Sequence, residues 1–169
     1  MNEHNCTITP ITEVDIPGFH TALDYVAKEK KYLAFLQAPP LESTRSFVLN
    51  NIKNDYAQFV ARHDKKVVGW CDIIPSSREI SKHVGVFGIG ILPEFRGKSI
   101  GRQLMEATIQ KAIRQDLTRI ELSVREHNKK AMTLYKELGF EIEGLEINAA
   151  KVDGVYENSY MMALLVEKP

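Results

Sequence analysis

The stretch Pro93-Glu94-Phe95-Arg96-Gly97-Lys98-Ser99-Ile100-Gly101-Arg102 joins two different sequence patterns. The run before it, residues 84–92, is apolar and contains glycines, which is typical of a central β-strand. Because the first backbone N–H groups of a helix lack intrahelical acceptors, a turn that enters a helix predicts an anion site and a phosphate-bearing ligand. The residues after the stretch do have the spacing of an amphipathic helix: Leu104, Met105, Thr108, Ile109, Ala112 and Ile113.

The residues of this turn resemble two kinds of phosphate-binding motif. Gly97-Lys98-Ser99 matches the end of a nucleotide P-loop, but that motif needs a glycine five residues before Gly97, where the chain has Leu92. The spacing therefore excludes this class of NTPase. The segment Arg96-Gly97-Lys98-Ser99-Ile100-Gly101 instead resembles the Arg/Gln-x-x-Gly-x-Gly/Ala pyrophosphate loop of the GNAT N-acetyltransferase superfamily. Ser99 stands where that family usually has glycine, and a serine there is strained if the position requires a positive φ.

A second signature follows at the distance expected for the same family. It reads Asn128-x-x-Ala131-x-x-Leu134-Tyr135-x-x-Leu138-Gly139-Phe140. On a helix, Asn128, Ala131 and Tyr135 are spaced i, i+3 and i+7 and so share one face. The two signatures in this order make the resemblance clear over about the last ninety residues, and general only over the first eighty.

The resemblance implies acetyl-CoA as co-substrate, with no metal. The main-chain edge of the strand before the turn would lie beside the pantetheine arm, and Asn128 would help to hold that arm. Tyr135 resembles the proton donor to the departing thiolate, a role that a nearby phenol can fill. The residues expected to bind the co-substrate are Ile89, Gly90, Ile91, Arg96, Gly97, Lys98, Ser99, Ile100, Gly101, Arg102 and Asn128.

The acceptor amine must lose a proton before it attacks, because amines are mostly protonated at neutral pH. Glu121 is the sequence's candidate base, since it is the one acid inside the strand predicted at 119–124 and lies opposite the apolar face of that strand. Related enzymes often place the base where this chain has Ser123, and many use ordered water. Glu126, on the following loop, is a weaker alternative.

The composition narrows the range of partners. The 169 residues suit one domain, 1–169, and 22 basic residues balance 22 acidic ones, so no basic field predicts nucleic-acid binding. The two cysteines, Cys6 and Cys71, match neither a disulfide framework nor a metal site and favour a reducing cytoplasm. No apolar run approaches the ~20 residues of a membrane span, so no membrane partner is expected.

The pattern of strands and helices predicts a mixed α/β fold. The resemblance makes this the GNAT fold, a central, mostly antiparallel sheet flanked by helices. Asp153-Gly154 is a tight-turn signal between the last two strands. Strands are predicted at 5–11, 58–63, 66–74, 84–92, 119–124, 140–147 and 155–165, and helices at 14–28, 42–54, from about 99 onward and at 128–138.

The expected function is therefore an acetyl-CoA-dependent N-acetyltransferase that works by direct attack in a ternary complex. The balanced charge and the apolar segment 32–40 favour a small acceptor such as an amino acid. Acetylation of a protein N-terminus or lysine is the main alternative, and a non-catalytic acyl-CoA sensor is an alternative of another class. The strand-rich C-terminus, whose sheet edge needs covering, also suggests a homodimer.

Overall fold

The computed structural model describes residues 5–167, in which seven strands form one sheet beside four α-helices. Their arrangement along the chain is mixed α/β, as predicted. The strands are β1 (Thr7–Pro10), β2 (Ala57–His63), β3 (Lys66–Pro75), β4 (Val84–Ile91), β5 (Arg119–Arg125), β6 (Glu141–Val152) and β7 (Val155–Leu165). The helices are α1 (Ile16–Lys28), α2 (Leu41–Lys53), α3 (Ile100–Arg114) and α4 (Lys129–Glu137).

The sheet has the strand order β1-β2-β3-β4-β5-β7-β6, and every neighbouring pair is antiparallel except β4 and β5. That parallel pair is short, because Val84–Val86 of β4 pairs with Arg119–Glu121 of β5 and the pairing then stops. The two strands separate beyond this point. Their ends therefore leave an opening in the middle of the sheet.

The helices cover both faces of the sheet. On β3, Trp70 contacts Phe19 of α1 edge to face, with ring centroids 5.5 Å apart. The preceding residue, Gly69, faces Leu104 of α3, so that a Cβ placed at Gly69 would lie 3.4 Å from it. Because successive strand residues point to opposite faces, α1 and α3 pack on opposite sides of the sheet. Leu104 is fully buried, and the apolar stripe predicted for α3 is its core face except at Ile113, which is exposed.

The last hairpin differs from the sequence prediction in length. β6 continues to Val152 rather than ending near residue 147, because its pairing with β7 resumes at Ala150 after an irregularity that begins at Glu146. Asp153 and Gly154 connect the strands with φ values of 48° and 85°, the positive φ pair that a two-residue hairpin turn requires. None of the helices in the described part of the chain is long and apolar enough to cross a membrane.

Candidate active site

The turn before α3 has a backbone conformation that suits an anion. Gly97 has φ 71° and Ser99, at the helix N-cap, has φ 61°, so both adopt the left-handed conformation. The amide of Gln103 donates to the carbonyl of Ser99 over 3.1 Å, which is the first hydrogen bond of the helix. The three amides at positions 100–102 therefore have no helical acceptor and are free to bind an anion.

The Arg96 side chain fastens this turn to the rest of the molecule. Its Nε donates to the carbonyl of Ile91 over 2.9 Å, and its two terminal nitrogens donate to the carboxylate of Glu29, just beyond α1. The guanidinium also lies 4.8 Å from the centre of the Tyr32 ring. Burial opposes the charge of Arg96, but the bonds to Glu29 outweigh burial and raise the pKa of Arg96. The guanidinium is therefore already engaged within the protein.

The turn opens onto a cavity of about 470 Å³, here called the loop cavity. Lys98 and Ile100 are not among its lining residues. Ile100 is buried in the core, and the ammonium of Lys98 donates to the carbonyl of Glu94 over 2.7 Å. The other nine residues predicted to bind the co-substrate all line the cavity: Ile89, Gly90, Ile91, Arg96, Gly97, Ser99, Gly101, Arg102 and Asn128.

The second signature brings Asn128 and Tyr135 to the same cavity. Asn128 is the N-cap of α4, and its side chain accepts a hydrogen bond from the amide of Ala131 over 3.4 Å. The Tyr135 ring packs against Phe87 and Phe140, with ring centroids 5.7 Å and 6.0 Å away. Burial raises the pKa of Tyr135 well above its usual range, with a smaller contribution from Cys71. Its hydroxyl therefore stays protonated at neutral pH.

A second cavity, here called the aromatic cavity, also has a volume of about 470 Å³. It lies between α1, α2 and the opened part of the sheet. Most of its walls are apolar, and the largest are Phe19, Phe35, Phe47, Trp70 and Phe87. Four residues line both cavities, so the two spaces meet at a common wall: Tyr32, Ile89, Ser123 and Tyr135.

The aromatic cavity contains a carboxylate that the sequence analysis missed. Asp72 lies on β3 between Gln58 of β2 and Gly88 of β4. Within the described residues, no donor hydrogen-bonds to its side chain and no cation pairs with it; the Gln58 amide instead accepts from Asn51. Burial raises the pKa of Asp72 to about 7. The available signal was an acid inside the otherwise apolar strand Val67–Ile74, on the same side as Trp70.

The structure does not bring Glu121 to either cavity. Its carboxylate accepts a hydrogen bond from Arg119 over 3.1 Å, and Arg119 also binds Glu143 on β6. Ser123, two residues along the strand, is the β5 residue that faces both cavities. Glu126 accepts from Asn158 and lines neither cavity. The role of Glu121 as base stays a prediction, and its position gives that role no support.

Residues 29–40, here called the covering segment, form one wall of the aromatic cavity. Other parts of the protein hold this segment through its main chain. The Arg125 guanidinium donates to the carbonyls of residues 30 and 33, and it also pairs with Glu157. On α1, the Asp24 carboxylate accepts from the amide of residue 38, and the His20 ring contacts the carbonyl of residue 39 over 2.9 Å.

The described residues contain no cluster of metal-binding side chains. Among residues 5–167, no group of three His, Cys, Asp or Glu side chains is placed to hold a metal ion. Cys6 and Cys71 are both free thiols.

Comparison with known sequences gives a consistent result. The model of the family described as "Acetyltransferase (GNAT) family" matches residues 21–140. The L-amino acid N-acetyltransferase AaaT of Escherichia coli (strain K12) is 37% identical over 109 residues, which are 63% of this chain and 66% of that protein. The ribosomal protein bS18-alanine N-acetyltransferase of Salmonella typhimurium (strain LT2) is 30% identical over 79 residues, 47% of this chain and 53% of that protein. The chain thus spans just under two thirds of the first relative and about half of the second.

Solved structures show the same fold. A GNAT-family acetyltransferase from Streptococcus pneumoniae superimposes with a TM-score of 0.89 at 24% identity, covering 96% of this chain and all of that one. A GNAT superfamily phosphinothricin acetyltransferase from Sinorhizobium meliloti, in complex with AcCoA, has a TM-score of 0.89 at 18% identity and covers 97% of this chain and 92% of that one. The fold prediction is confirmed.

Proposed function

The chain belongs to the GNAT acetyltransferase family, and on that basis we propose that it is an acetyl-CoA-dependent N-acetyltransferase acting on the amine of a small molecule. One observation carries the proposal. The loop cavity, onto which the turn at 97–99 opens, and the aromatic cavity meet at a common wall that includes Tyr135. Two ligands bound in these cavities would have their reactive ends side by side, which favours direct transfer between them.

The loop cavity supplies what a coenzyme A pyrophosphate needs. The amides at 100–102 and the left-handed turn at 97–99 would bind its oxygens, and Lys130 adds positive charge to the walls. Arg102 also lines the cavity, where its guanidinium pairs with Glu137. The main chain of Ile89–Ile91, where the pairing between β4 and β5 has ended, would lie along the pantetheine arm. The acyl-coenzyme A complex in the related fold supports the same ligand here.

Tyr135 would stabilise the leaving thiolate. Its hydroxyl is held at the common wall by the packing of its ring against Phe87 and Phe140. Because the raised pKa keeps it neutral, it can donate a hydrogen bond to the thiolate that forms as the tetrahedral intermediate collapses. No nucleophile of the enzyme is needed in this scheme.

Two alternatives remain as competing proposals. The bS18-alanine N-acetyltransferase of Salmonella acts, by its name, on a ribosomal protein, so an acceptor on a protein is the enzymatic alternative. The other is a sensor that binds acetyl-CoA without turnover. The aromatic cavity, of a size typical for small ligands, favours the small-molecule reaction over both.

Release of coenzyme A thiol from acetyl-CoA tests the proposal directly. The acceptors are free amino acids, aliphatic and aromatic amines, and short peptides with free N-termini. We expect release with small amines. Release with peptides alone would replace the small-molecule proposal with the protein one. Binding of acetyl-CoA without release of thiol would favour the sensor. Absence of acetyl-CoA binding would contradict the proposed acetyltransferase activity.

We further propose a homodimer and a cytoplasmic location. β6 is an edge strand with exposed Ile142, Leu145 and Ile147, and a second chain would cover them. The free cysteines suit a reducing compartment. Light scattering of the purified chain tests the dimer: a monomer mass at micromolar concentration would contradict it.

A further inference from the structure

The aromatic cavity contains a single charge. Among its lining residues, all within the described part of the chain, Asp72 is the one charged side chain, and no Lys, Arg or His accompanies it. The remaining polar groups are hydroxyls, including Ser43 and Thr44 on α2. The Thr44 hydroxyl is buried and has no hydrogen-bond partner in the described residues. A carboxylate in such surroundings is costly unless a cation pairs with it.

The strand next to Asp72 leaves room for its carboxylate. Gly88 pairs with Asp72 across β3 and β4, and a Cβ placed at Gly88 would lie 3.2 Å from Asp72 Oδ1. Any larger residue at position 88 would therefore press on the carboxylate. Both residues line the cavity, so the Asp72 oxygens have access to a ligand inside it.

We propose that Asp72 binds the ammonium of the acceptor and then accepts its proton, and that the acceptor is an apolar amine with no carboxylate beside the amine. This inference rests on the proposed acetyltransferase function and assigns the acceptor class for the same site. An ammonium supplies the cation that the Asp72 carboxylate lacks among residues 5–167. The aromatic walls then take the apolar group of the amine.

The proton and electron pairs balance without a further reactant. The ammonium transfers one proton to Asp72, and the freed nitrogen lone pair attacks the thioester carbonyl carbon. The C–N bond forms, the C–S bond breaks, and the thiolate leaves with the electron pair, accepting a hydrogen bond from Tyr135. The nitrogen, which still carries two protons after the attack, gives the second one to solvent, so that a neutral amide results. Asp72 then passes its proton to solvent, and the thiolate takes one from solvent. The pKa of about 7 at Asp72 makes it a stronger base than an exposed carboxylate.

The same charge distribution argues against a free amino acid. Its carboxylate would enter an apolar cavity that contains a second carboxylate, Asp72, and no cation. Arg125, on β5, is already bound to Glu157 and to carbonyls of the covering segment. Arg96 is likewise occupied by Glu29. An unpaired buried carboxylate beside a like charge weakens binding.

Few titratable groups could alter the proton affinity of Asp72. From β2, β4 and β5 the residues beside it or across the cavity are Gln58, Gly88 and Ser123, which do not ionise in the working range. Cys71 adjoins it on β3. The other cavity-lining residues that ionise are Tyr32 on the covering segment and Tyr135 on α4, while α1 contributes Phe19 and Leu23, and α2 contributes Ser43, Thr44 and Phe47.

The first experiment compares wild type with Asp72→Asn and Glu121→Gln, using 2-phenylethylamine as acceptor. We expect kcat/KM to fall about 100-fold or more in Asp72→Asn, the range for loss of a general base. In the wild type, log kcat/KM should rise with pH and level off near pH 7. This rising part of the pH profile, called the limb below, should be absent in Asp72→Asn. Glu121→Gln tests the rival base, and the control is Glu141→Gln, which removes an exposed carboxylate that lines neither cavity and should retain both the rate and the limb. Loss of the limb in Glu121→Gln, with its retention in Asp72→Asn, would overturn the proposal.

The second experiment isolates the acceptor carboxylate. Phenylalanine and phenylalaninamide differ only in that group, and 2-phenylethylamine lacks it altogether. We expect kcat/KM for the amide and the amine to exceed that for phenylalanine at least about tenfold, a 1.4 kcal/mol difference. Equal or better use of phenylalanine would overturn the acceptor class. A higher kcat/KM for a phenylalanyl tripeptide than for any small amine would also overturn the acceptor class.

Calorimetric measurement of 2-phenylethylamine binding distinguishes the amine site at Asp72 from the acetyltransferase function. Asp72→Asn should bind the amine at least about tenfold more weakly than wild type, whether or not thiol is released. If binding depends on Asp72 but no acceptor gives thiol release, the acetyltransferase function fails and the amine site stands. If thiol is released but binding and rate do not depend on Asp72, the function stands and this inference fails.

Discussion

Arg96 and Glu29 form a two-point ion pair that joins the turn before α3 to the end of α1. Replacing Glu29 with Gln removes the charge that offsets the burial of Arg96. We expect the free energy of unfolding to fall by about 1–2 kcal/mol, because a partly buried cation loses its partner. Affinity for acetyl-CoA, measured by calorimetry, should fall as well, because the turn loses an anchor.

Glu94→Gln is the matched control for this change. Glu94 lies in the same turn, but its side chain is exposed, so the same loss of charge should leave stability and affinity unchanged. Equal effects of the two substitutions would show that charge near the turn matters and the ion pair does not.

Ser99 adopts φ 61°, a left-handed conformation that costs free energy for serine but little for glycine. Ser99→Gly should therefore raise the free energy of unfolding by about 0.5–1 kcal/mol, after the larger unfolded-state entropy of glycine is subtracted. Urea unfolding followed by circular dichroism measures this. Gly97→Ala is the converse control: φ is 71° and no atom lies within 4 Å of an added Cβ, so any loss comes from the backbone alone. A loss of stability in Ser99→Gly would contradict the assignment of strain.

Tyr135→Phe keeps the ring in place and removes the hydroxyl at the common wall of the two cavities. We expect kcat to fall about 100-fold, within the range for one acid–base group, while acetyl-CoA affinity and melting temperature stay near wild type. Steady-state thiol release and calorimetry give the two values. Tyr156→Phe, at an exposed tyrosine on β7, is the control. Unchanged kcat in Tyr135→Phe would remove this side chain from the chemistry.

Gly101 lines the loop cavity in the first turn of α3, where a Cβ would lie 3.2 Å from Ile91 and 3.6 Å from Leu134. Gly101→Val should weaken acetyl-CoA binding by more than about tenfold, because the branched side chain occupies space beside the anion site. Gly144→Val introduces the same side chain on β6, where no atom lies within 4 Å of an added Cβ. Wild-type affinity in Gly101→Val would contradict the assignment of the anion site.

The raised pKa of Asp72 also makes a prediction about stability. The folded protein binds a proton at Asp72 more tightly than the unfolded chain does, because the pKa rises from 3.8 to about 7. The free energy of unfolding should therefore fall between about pH 4 and pH 7 and level off above pH 7, by up to about 4 kcal/mol from this group. Asp72→Asn should lack this loss and be more stable than wild type at pH 8. Glu94→Gln should follow the wild-type curve in urea titrations across this range.

Most of the fold could be predicted because the local signals agree with one another. The α3 helix and the positive-φ turn at Asp153-Gly154 occur where the sequence placed them, and α4 lies within the helix predicted at 128–138. The true length of β6 was not predictable from Asn148-Ala149-Ala150, which has weak strand preference. Pairing with β7 determines the length of β6, and this pairing cannot be predicted from the residues of β6 alone.

The two halves of the candidate site differ in how far the sequence predicted them. The loop cavity takes most of its lining from two local stretches, 89–102 and 128–135, so the two sequence signatures specify most of it. The aromatic cavity assembles α1, α2, β3, β4 and the covering segment, which are distant in sequence. Asp72 and Tyr135 are 63 positions apart, and only the opening between β4 and β5 gives both access to the same space. Glu121 was chosen as base because of its position in the strand. In the structure, however, its carboxylate binds Arg119, which also binds Glu143.

The covering segment is anchored through its main chain at residues 30, 33 and 38 and through the side chains of Glu29, Lys30 and Tyr32. Every residue type presents the same main-chain groups, so exchanges at Leu33, Ala34 and Phe35 would leave these anchors in place. The wall of the aromatic cavity can therefore change its side chains while these main-chain hydrogen bonds are kept, although Leu33 also packs against the core. A combinatorial library at these three positions is the direct route to altered acceptor preference, and divergence within a lineage would follow the same path.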